Sequence, residues 1–129
     1  MDTELELAVP ARFQQVGALR RAASAFLAGT TDERLRHTLL LVVSELCTNA
    51  IEAVQNAHDE LTLRIRNSDR HLIIEVEDRG PGFSAAFGTW GADDDAERGR
   101  GLNIVRSLVD EFAVERAQNR TTVRCSLAR

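Results

Sequence analysis

The sequence contains no lysine, and all 16 of its basic residues are arginines. A P-loop needs a lysine on the β- and γ-phosphates, and protein kinases of the eukaryotic type need one on a strand. Schiff-base enzymes attack carbonyl groups with a lysine amine. The absence of lysine therefore excludes these three classes. A net charge of −4 also argues against direct binding to nucleic acid, whose phosphates require a basic surface.

Cysteine and long apolar segments are also scarce. The two cysteines, Cys47 and Cys125, are too few for a disulfide scaffold, and no histidine lies at metal-ligand spacing from either. No apolar run approaches the roughly 20 residues that span a bilayer. The acidic residues 1–4 are unlike the basic start of a signal peptide. These features predict a cytoplasmic protein with two reduced core thiols and no membrane contact.

The 129 residues, 43% of them hydrophobic and 28% charged, fit one domain spanning 1–129. Apolar periodicity predicts helices and strands in the order β-α-α-β-β-α-β-β. The predicted elements are Leu5–Val9 (an edge strand), Ala11–Ala28, Asp32–Gln55 (N-capped by Thr31), Glu60–Arg66, His71–Glu77, Leu102–Val109, Phe112–Glu115 and Thr121–Leu127. Runs of strands with segregated helices predict an α+β two-layer sandwich with helices on one face of a mixed sheet.

Three polar residues on the second predicted helix, Glu45, Asn49 and Glu52, form a stripe beside its apolar face. An asparagine in a cleft with a carboxylate one turn away suits a metal ion or a water molecule. The alternative is an ordinary solvated helix face.

A glycine-rich segment, residues 78–101, holds six of the eight glycines. It begins with Asp78-Arg79-Gly80-Pro81-Gly82 directly after an apolar strand, where a carboxylate can accept from an exocyclic amine and glycines admit a planar ligand. It ends with Gly99-Arg100-Gly101 at the start of a helix, where backbone N–H groups favour an anion. Taken alone, the first motif also describes a simple turn and the second a flexible hinge.

In this order, Glu45-Leu-Cys-Thr-Asn49-Ala, Asp78-Arg-Gly-Pro-Gly82 and Gly99-Arg-Gly-Leu-Asn-Ile-Val105 resemble the N box and the two glycine boxes of the GHKL ATPase superfamily. The resemblance covers almost the whole chain. It is closest to the small stand-alone anti-sigma-factor serine/threonine kinases of bacteria, and the motif Ser44-Glu45-x-x-Thr48-Asn49-Ala50 fits that subgroup. It implies the GHKL, or Bergerat, ATP-binding fold.

The resemblance also implies roles for individual residues, with ATP and Mg²⁺ as the cofactors. Asn49 would hold Mg²⁺, Glu45 would act as general base, and Asp78 would accept from the adenine amine. The other predicted nucleotide-binding residues are Gly80, Gly82, Arg98, Gly99, Arg100, Gly101, Leu102 and Thr121. In the absence of lysine, Arg98 and Arg100 are the nearest candidates to supply positive charge to the phosphates, although both are equally compatible with a solvated loop.

Two features depart from the family pattern. Arg120 stands where the third box usually carries a glycine before its threonine, which bears on adenine affinity near that strand. The segment between the glycine boxes, residues 83–98, is short and acidic for an ATP lid.

The subgroup implies a partner-switching kinase. We expect it to phosphorylate a STAS-domain antagonist, to sequester a sigma factor and to form a homodimer. One alternative is a nucleotide-binding interaction module without efficient phosphotransfer. Another is a switch kinase acting on a signalling partner unrelated to sigma factors.

Overall fold

The computed structural model describes residues 2–29, 32–54, 59–79, 103–117 and 120–129. Its elements are β1 (Thr3–Pro10), α1 (Val16–Phe26, after the 3-10 turn Phe13–Gln15), α2 (Glu33–Ala53), β2 (Glu60–Asn67), β3 (His71–Asp78), α3 (residues 103–108), β4 (Glu111–Ala117) and β5 (Arg120–Ala128). Every predicted helix and strand is present. The described boundaries lie within two residues of the expected ones, except that the helix expected from Ala11 begins at Val16, after the 3-10 turn. The apolar periodicity was therefore sufficient to locate the elements.

The five strands form one sheet in the order β1-β2-β3-β5-β4. The predicted α+β class is confirmed, and β1 lies at an edge as expected. The prediction of a mixed sheet is wrong, because all four pairings among these strands are antiparallel. Only two or three residues separate β2 from β3 and β4 from β5, and connections this short permit only antiparallel pairing. The chain between β1 and β2 contains two helices, which return it in the opposite direction.

The core lies between the helices and one face of the sheet. Alternate residues of β2 and β3, such as Leu63 and Ile74, are fully buried on this face, and Cys125 of β5 joins them. Strand residues of period two on one side therefore meet helix residues of period 3.6 on the other. From the helical layer, Leu19 of α1 and Leu46 of α2 fill the same cluster. The opposite face of the sheet carries arginines and carboxylates and faces solvent.

The start of α2 differs by one residue from the prediction. Asp32 is the N-cap, and its side chain accepts a hydrogen bond from the backbone N–H of Leu35 at 3.0 Å. The expected cap, Thr31, lies outside the described residues. The Asp32 carboxylate reaches the third N–H of the helix and satisfies one of the donors that a helix start leaves free. None of the described helices combines the length and the hydrophobicity that a membrane crossing requires.

Candidate functional site

The polar residues predicted on α2 differ in exposure. Asn49 is only 7% exposed and Glu45, one turn earlier, is partly buried, whereas Glu52 is exposed. The predicted stripe is therefore reduced to two residues, and Glu52 belongs to the solvated side of the helix. A buried asparagine is uncommon without hydrogen-bond partners, so the simple solvated-face interpretation does not apply to Asn49.

The side-chain amide of Asn49 is fixed by a bond within its own helix. Its Nδ2 donates to the backbone carbonyl oxygen of Glu45, with an N···O distance of 2.6 Å. This bond to the preceding turn determines how the amide is oriented. An amide oxygen is one of the hard ligands that Mg²⁺ accepts. Ser44 is engaged elsewhere, because its Oγ donates to the carbonyl oxygen of Leu40 at 2.9 Å.

Asp78 and Thr121 form the second part of the site. Asp78 is the last residue of β3 and is 1% exposed; it stands directly opposite Thr121 of β5, which is also 1% exposed. The alternation of β3 points the Asp78 side chain to the same face as Ile74 and Val76, the face against which α2 packs. The structure thus brings together two predicted adenine-binding residues on the helix-facing side of the sheet. A buried carboxylate at a strand end is costly to maintain unless it is hydrogen-bonded.

Arg120, the predicted departure from the family pattern, lies on the opposite face of the sheet. Its side chain is 52% exposed, and its Nε is 3.6 Å from Oε2 of Glu77. Because successive residues of a strand point to opposite faces, Arg120 and its neighbour Thr121 are on different sides. The side chain of Arg120 therefore does not enter the region around Asp78 and Thr121.

The rest of the predicted site lies outside the described residues. This applies to Gly80, Gly82, Arg98, Gly99, Arg100, Gly101 and Leu102. The acidic segment between the glycine boxes is outside them as well. The described part of α3 begins at residue 103, and its Val105 is fully buried in the core. The helix that follows the second glycine box is thus anchored to the same core as α2.

The sequence interpretation missed the ion pairs formed by Glu77. This residue immediately precedes Asp78 and contacts Arg64 of β2 on one side and Arg120 of β5 on the other. The alternation of charges was visible in the sequence as Glu75 and Glu77 on one strand. Their partners on β5, Arg120 and Arg124, could not be assigned, because β5 is distant from β3 in sequence.

The two thiols are confirmed as buried and free. Burial raises the pKa of Cys47 to about 12 and that of Cys125 to about 12, so neither forms a thiolate near neutral pH. In the described ranges, no three His, Cys, Asp or Glu side chains are grouped so that they could hold a metal ion. Mg²⁺ in phosphoryl-transfer sites is commonly held by one or two protein ligands together with substrate phosphates, and Asn49 fits such a ligand.

Comparisons with known proteins agree with this geometry. The family model for the histidine kinase-like ATPase domain matches residues 9–127. The chain is 29% identical over 126 residues to the serine-protein kinase RsbW of Bacillus pumilus (strain SAFR-032), covering 86% of this chain and 77% of that protein. It is 28% identical over 124 residues to the RsbW of Bacillus subtilis (strain 168), with the same coverages.

Two further similarities are more limited. The C4-dicarboxylate transport sensor protein DctS of Rhodobacter capsulatus is 36% identical over 77 residues, which cover 54% of this chain and 12% of that protein. This chain therefore corresponds to a small part of that sensor. The crystal structure of the RsbU and RsbW domains of Rv1364c from Mycobacterium tuberculosis matches with a TM-score of 0.70 at 18% identity. The match covers 98% of this chain and 33% of that chain, and it establishes a shared fold.

The family match covers nearly the whole chain and includes α2 with Asn49, the end of β3 with Asp78, and β5 with Thr121. The resemblance seen in the three motifs is therefore confirmed, and so is the expected fold. Two of the relatives are named serine-protein kinases. This chain belongs to the histidine kinase-like ATPase domain family.

Proposed function

We propose that this chain binds Mg²⁺-ATP and transfers the γ-phosphoryl group to a serine or threonine hydroxyl of a STAS-domain antagonist. We also propose that it sequesters a sigma factor. The observation that carries the nucleotide site is the buried pair of Asp78 and Thr121 at the end of the β3–β5 ladder. The RsbW relatives are named serine-protein kinases, which supports the transfer. By resemblance we also propose these partners and a homodimer, and from the composition we propose a cytoplasmic location.

Some of the proposed site residues recognise the adenine base, and the others bind Mg²⁺ and the phosphates. Asp78 accepts from the exocyclic amine of adenine, and Thr121 supports that contact from the neighbouring strand. The amide oxygen of Asn49 is a ligand for Mg²⁺, which when bound neutralises charge on the phosphates. We assign phosphate contacts by resemblance to Gly99 and Gly101, and to the arginines Arg98 and Arg100. Gly80, Gly82 and Leu102 would complete the nucleotide site.

Glu45 is the proposed general base. It is partly buried one turn before Asn49, a position from which it can face a hydroxyl group brought to the γ-phosphate. The hydroxyl oxygen forms a bond to the γ-phosphorus as the bond from that phosphorus to the β,γ-bridging oxygen breaks. ADP leaves with the electron pair, and the hydroxyl proton passes to the Glu45 carboxylate.

The first experiment is calorimetric titration of ATP into the protein with and without Mg²⁺, repeated on Asp78→Asn. A charge-assisted hydrogen bond contributes about 1.5–3 kcal/mol, so we expect Asp78→Asn to weaken ATP binding by about 10- to 150-fold. A urea titration of the same variant establishes that it is folded. No saturable binding of ATP at millimolar concentration by the folded wild type would refute the proposal.

Transfer is tested separately on α2. Glu45→Gln keeps the volume of the side chain and removes the base, so we expect the phosphorylation rate of a STAS-domain protein to fall by about 10²- to 10⁴-fold with ATP affinity retained. Glu52→Gln, an exposed carboxylate on the same helix, is the matched control and should leave the rate unchanged. Normal ATP binding with no transfer by the wild type would instead indicate an interaction module.

A further inference from the structure

A row of four charged side chains crosses the solvent-facing side of the sheet behind the candidate site. Nε of Arg64 lies 2.9 Å from Oε1 of Glu6, and Nη1 of Arg64 lies 3.2 Å from Oε1 of Glu77. Nε of Arg120 then lies 3.6 Å from Oε2 of Glu77. We call Glu6, Arg64, Glu77 and Arg120 the outer ion row; it connects β1, β2, β3 and β5. Glu77 is its most enclosed member, with a side chain only 13% exposed.

One end of the outer ion row, formed by Glu77 and Arg120, lies next to the candidate site in sequence. Asp78 and Thr121 are the last paired residues of the β3–β5 ladder, and terminal pairs of a ladder open most readily. Glu77 precedes Asp78, and Arg120 precedes Thr121. In the ladder Glu77 stands opposite Thr122, so its contact with Arg120 is diagonal and spans the Asp78–Thr121 pair from the opposite face.

We propose that Glu77 and Arg120 are positioning residues for adenine recognition. Their ion pair holds the ends of β3 and β5 together, and this keeps the Asp78 carboxylate and the Thr121 hydroxyl at a fixed separation. Arg64 supports Glu77 from the other side and orients its carboxylate. The inference rests on the proposed nucleotide site. It also assigns a function to Arg120: a glycine at this position has no side chain and could not form the ion pair with Glu77.

The same two strands provide a matched control. Glu75 of β3 and Arg124 of β5 form a second ion pair on the outer face, with Nε and Oε2 3.8 Å apart, but they lie away from the end of the ladder. Arg120 and Arg124 have similar exposure, 52% and 44%. Replacing either by glutamine removes an exposed ion pair of the same kind, and only Arg120→Gln removes it beside the site.

The test is the ratio of dissociation constants for ITP and ATP, measured by calorimetry on the wild type, Arg120→Gln, Arg124→Gln and Arg120→Lys. ITP carries a carbonyl oxygen where ATP carries the exocyclic amine, so the ratio reports on the base contact and not on the phosphates. We expect the ratio of the ITP to the ATP dissociation constant to be about two- to fivefold lower in Arg120→Gln than in the wild type. This change corresponds to the free energy of an exposed ion pair. Arg124→Gln should keep the ratio, and Arg120→Lys should keep most of it.

A second measurement needs no nucleotide. Hydrogen exchange of the backbone amides at the Asp78–Thr121 end of the ladder should be faster in Arg120→Gln than in Arg124→Gln, with similar unfolding midpoints in urea. If the wild type prefers ATP to ITP and both glutamine variants keep that preference, the positioning role is refuted and the nucleotide site stands. If the wild type does not distinguish the two nucleotides, adenine recognition by Asp78 is refuted and the inference fails with it.

Discussion

Replacing Thr121 by valine removes one hydroxyl group and keeps the β-branched shape that suits a strand. Thr121 is 1% exposed and stands opposite Asp78, so its hydroxyl faces the enclosed side of the ladder end. A hydrogen bond between uncharged groups contributes about 0.5–1.5 kcal/mol, which predicts ATP binding weaker by about 2- to 12-fold in Thr121→Val. Calorimetric titration of Mg²⁺-ATP measures the change directly.

The next residue supplies the control for this prediction. Thr122 is partly exposed on the opposite face, across from Glu77, so Thr122→Val makes the same chemical change outside the site. We expect Thr122→Val to bind ATP like the wild type. Equal loss of affinity in both variants would refute the assignment of the helix-facing side as the binding side, and unchanged affinity in Thr121→Val would remove Thr121 from the site.

Three further predictions concern the fold. Asp32→Ala removes the N-cap of α2 and should reduce the free energy of unfolding by about 0.5–2 kcal/mol; an unchanged urea midpoint would mean that the cap contributes nothing. Leu63→Ala in the buried core should cost about 2–5 kcal/mol in urea unfolding, whereas Thr62→Ala on the outer face should cost much less. Burial raises the pKa of Cys47 and of Cys125 from 9.0 to about 12, so the folded protein retains protons that the unfolded chain releases above pH 9, and stability should fall from pH 9 towards 12. A thiol titration at pH 8 should find both cysteines unreactive until urea unfolds the protein, and immediate reaction of the native protein would contradict their burial.

The order of elements was predictable because each has a clear apolar period and is bounded by turn residues. The direction of the β1–β2 and β3–β5 pairs was not, since long connections join these strands and the alternation within a strand is the same in parallel and antiparallel sheets. Thr31 and Asp32 are both good capping residues, and only the geometry of the first turn distinguishes them.

The site was predictable to the extent that its motifs are local. Asn49 and Asp78 were identified from short motifs, and the structure finds both buried. The ion pair of Arg120 was not predictable, because its partner Glu77 is 43 positions away in sequence (120 − 77 = 43) and the two meet only through the pairing of β3 with β5. The place of Arg120 in the family motif suggested only an effect on adenine affinity near that strand, and strand alternation directs its side chain to the face opposite Thr121.

The strand order has a consequence for folding kinetics. The β2–β3 and β4–β5 pairs are local hairpins, whereas β3 and β5 pair across a large sequence separation: 121 − 78 = 43 positions at the Asp78–Thr121 pair. Closing so long a loop has a high entropic cost, so this seam is expected to form late. The seam between the two hairpins carries Asp78 from one hairpin and Thr121 from the other, so neither hairpin alone contains both. A ligand held there would bind only after the hairpins have docked, and it would stabilise the folded state by mass action at the seam where unfolding has to separate them.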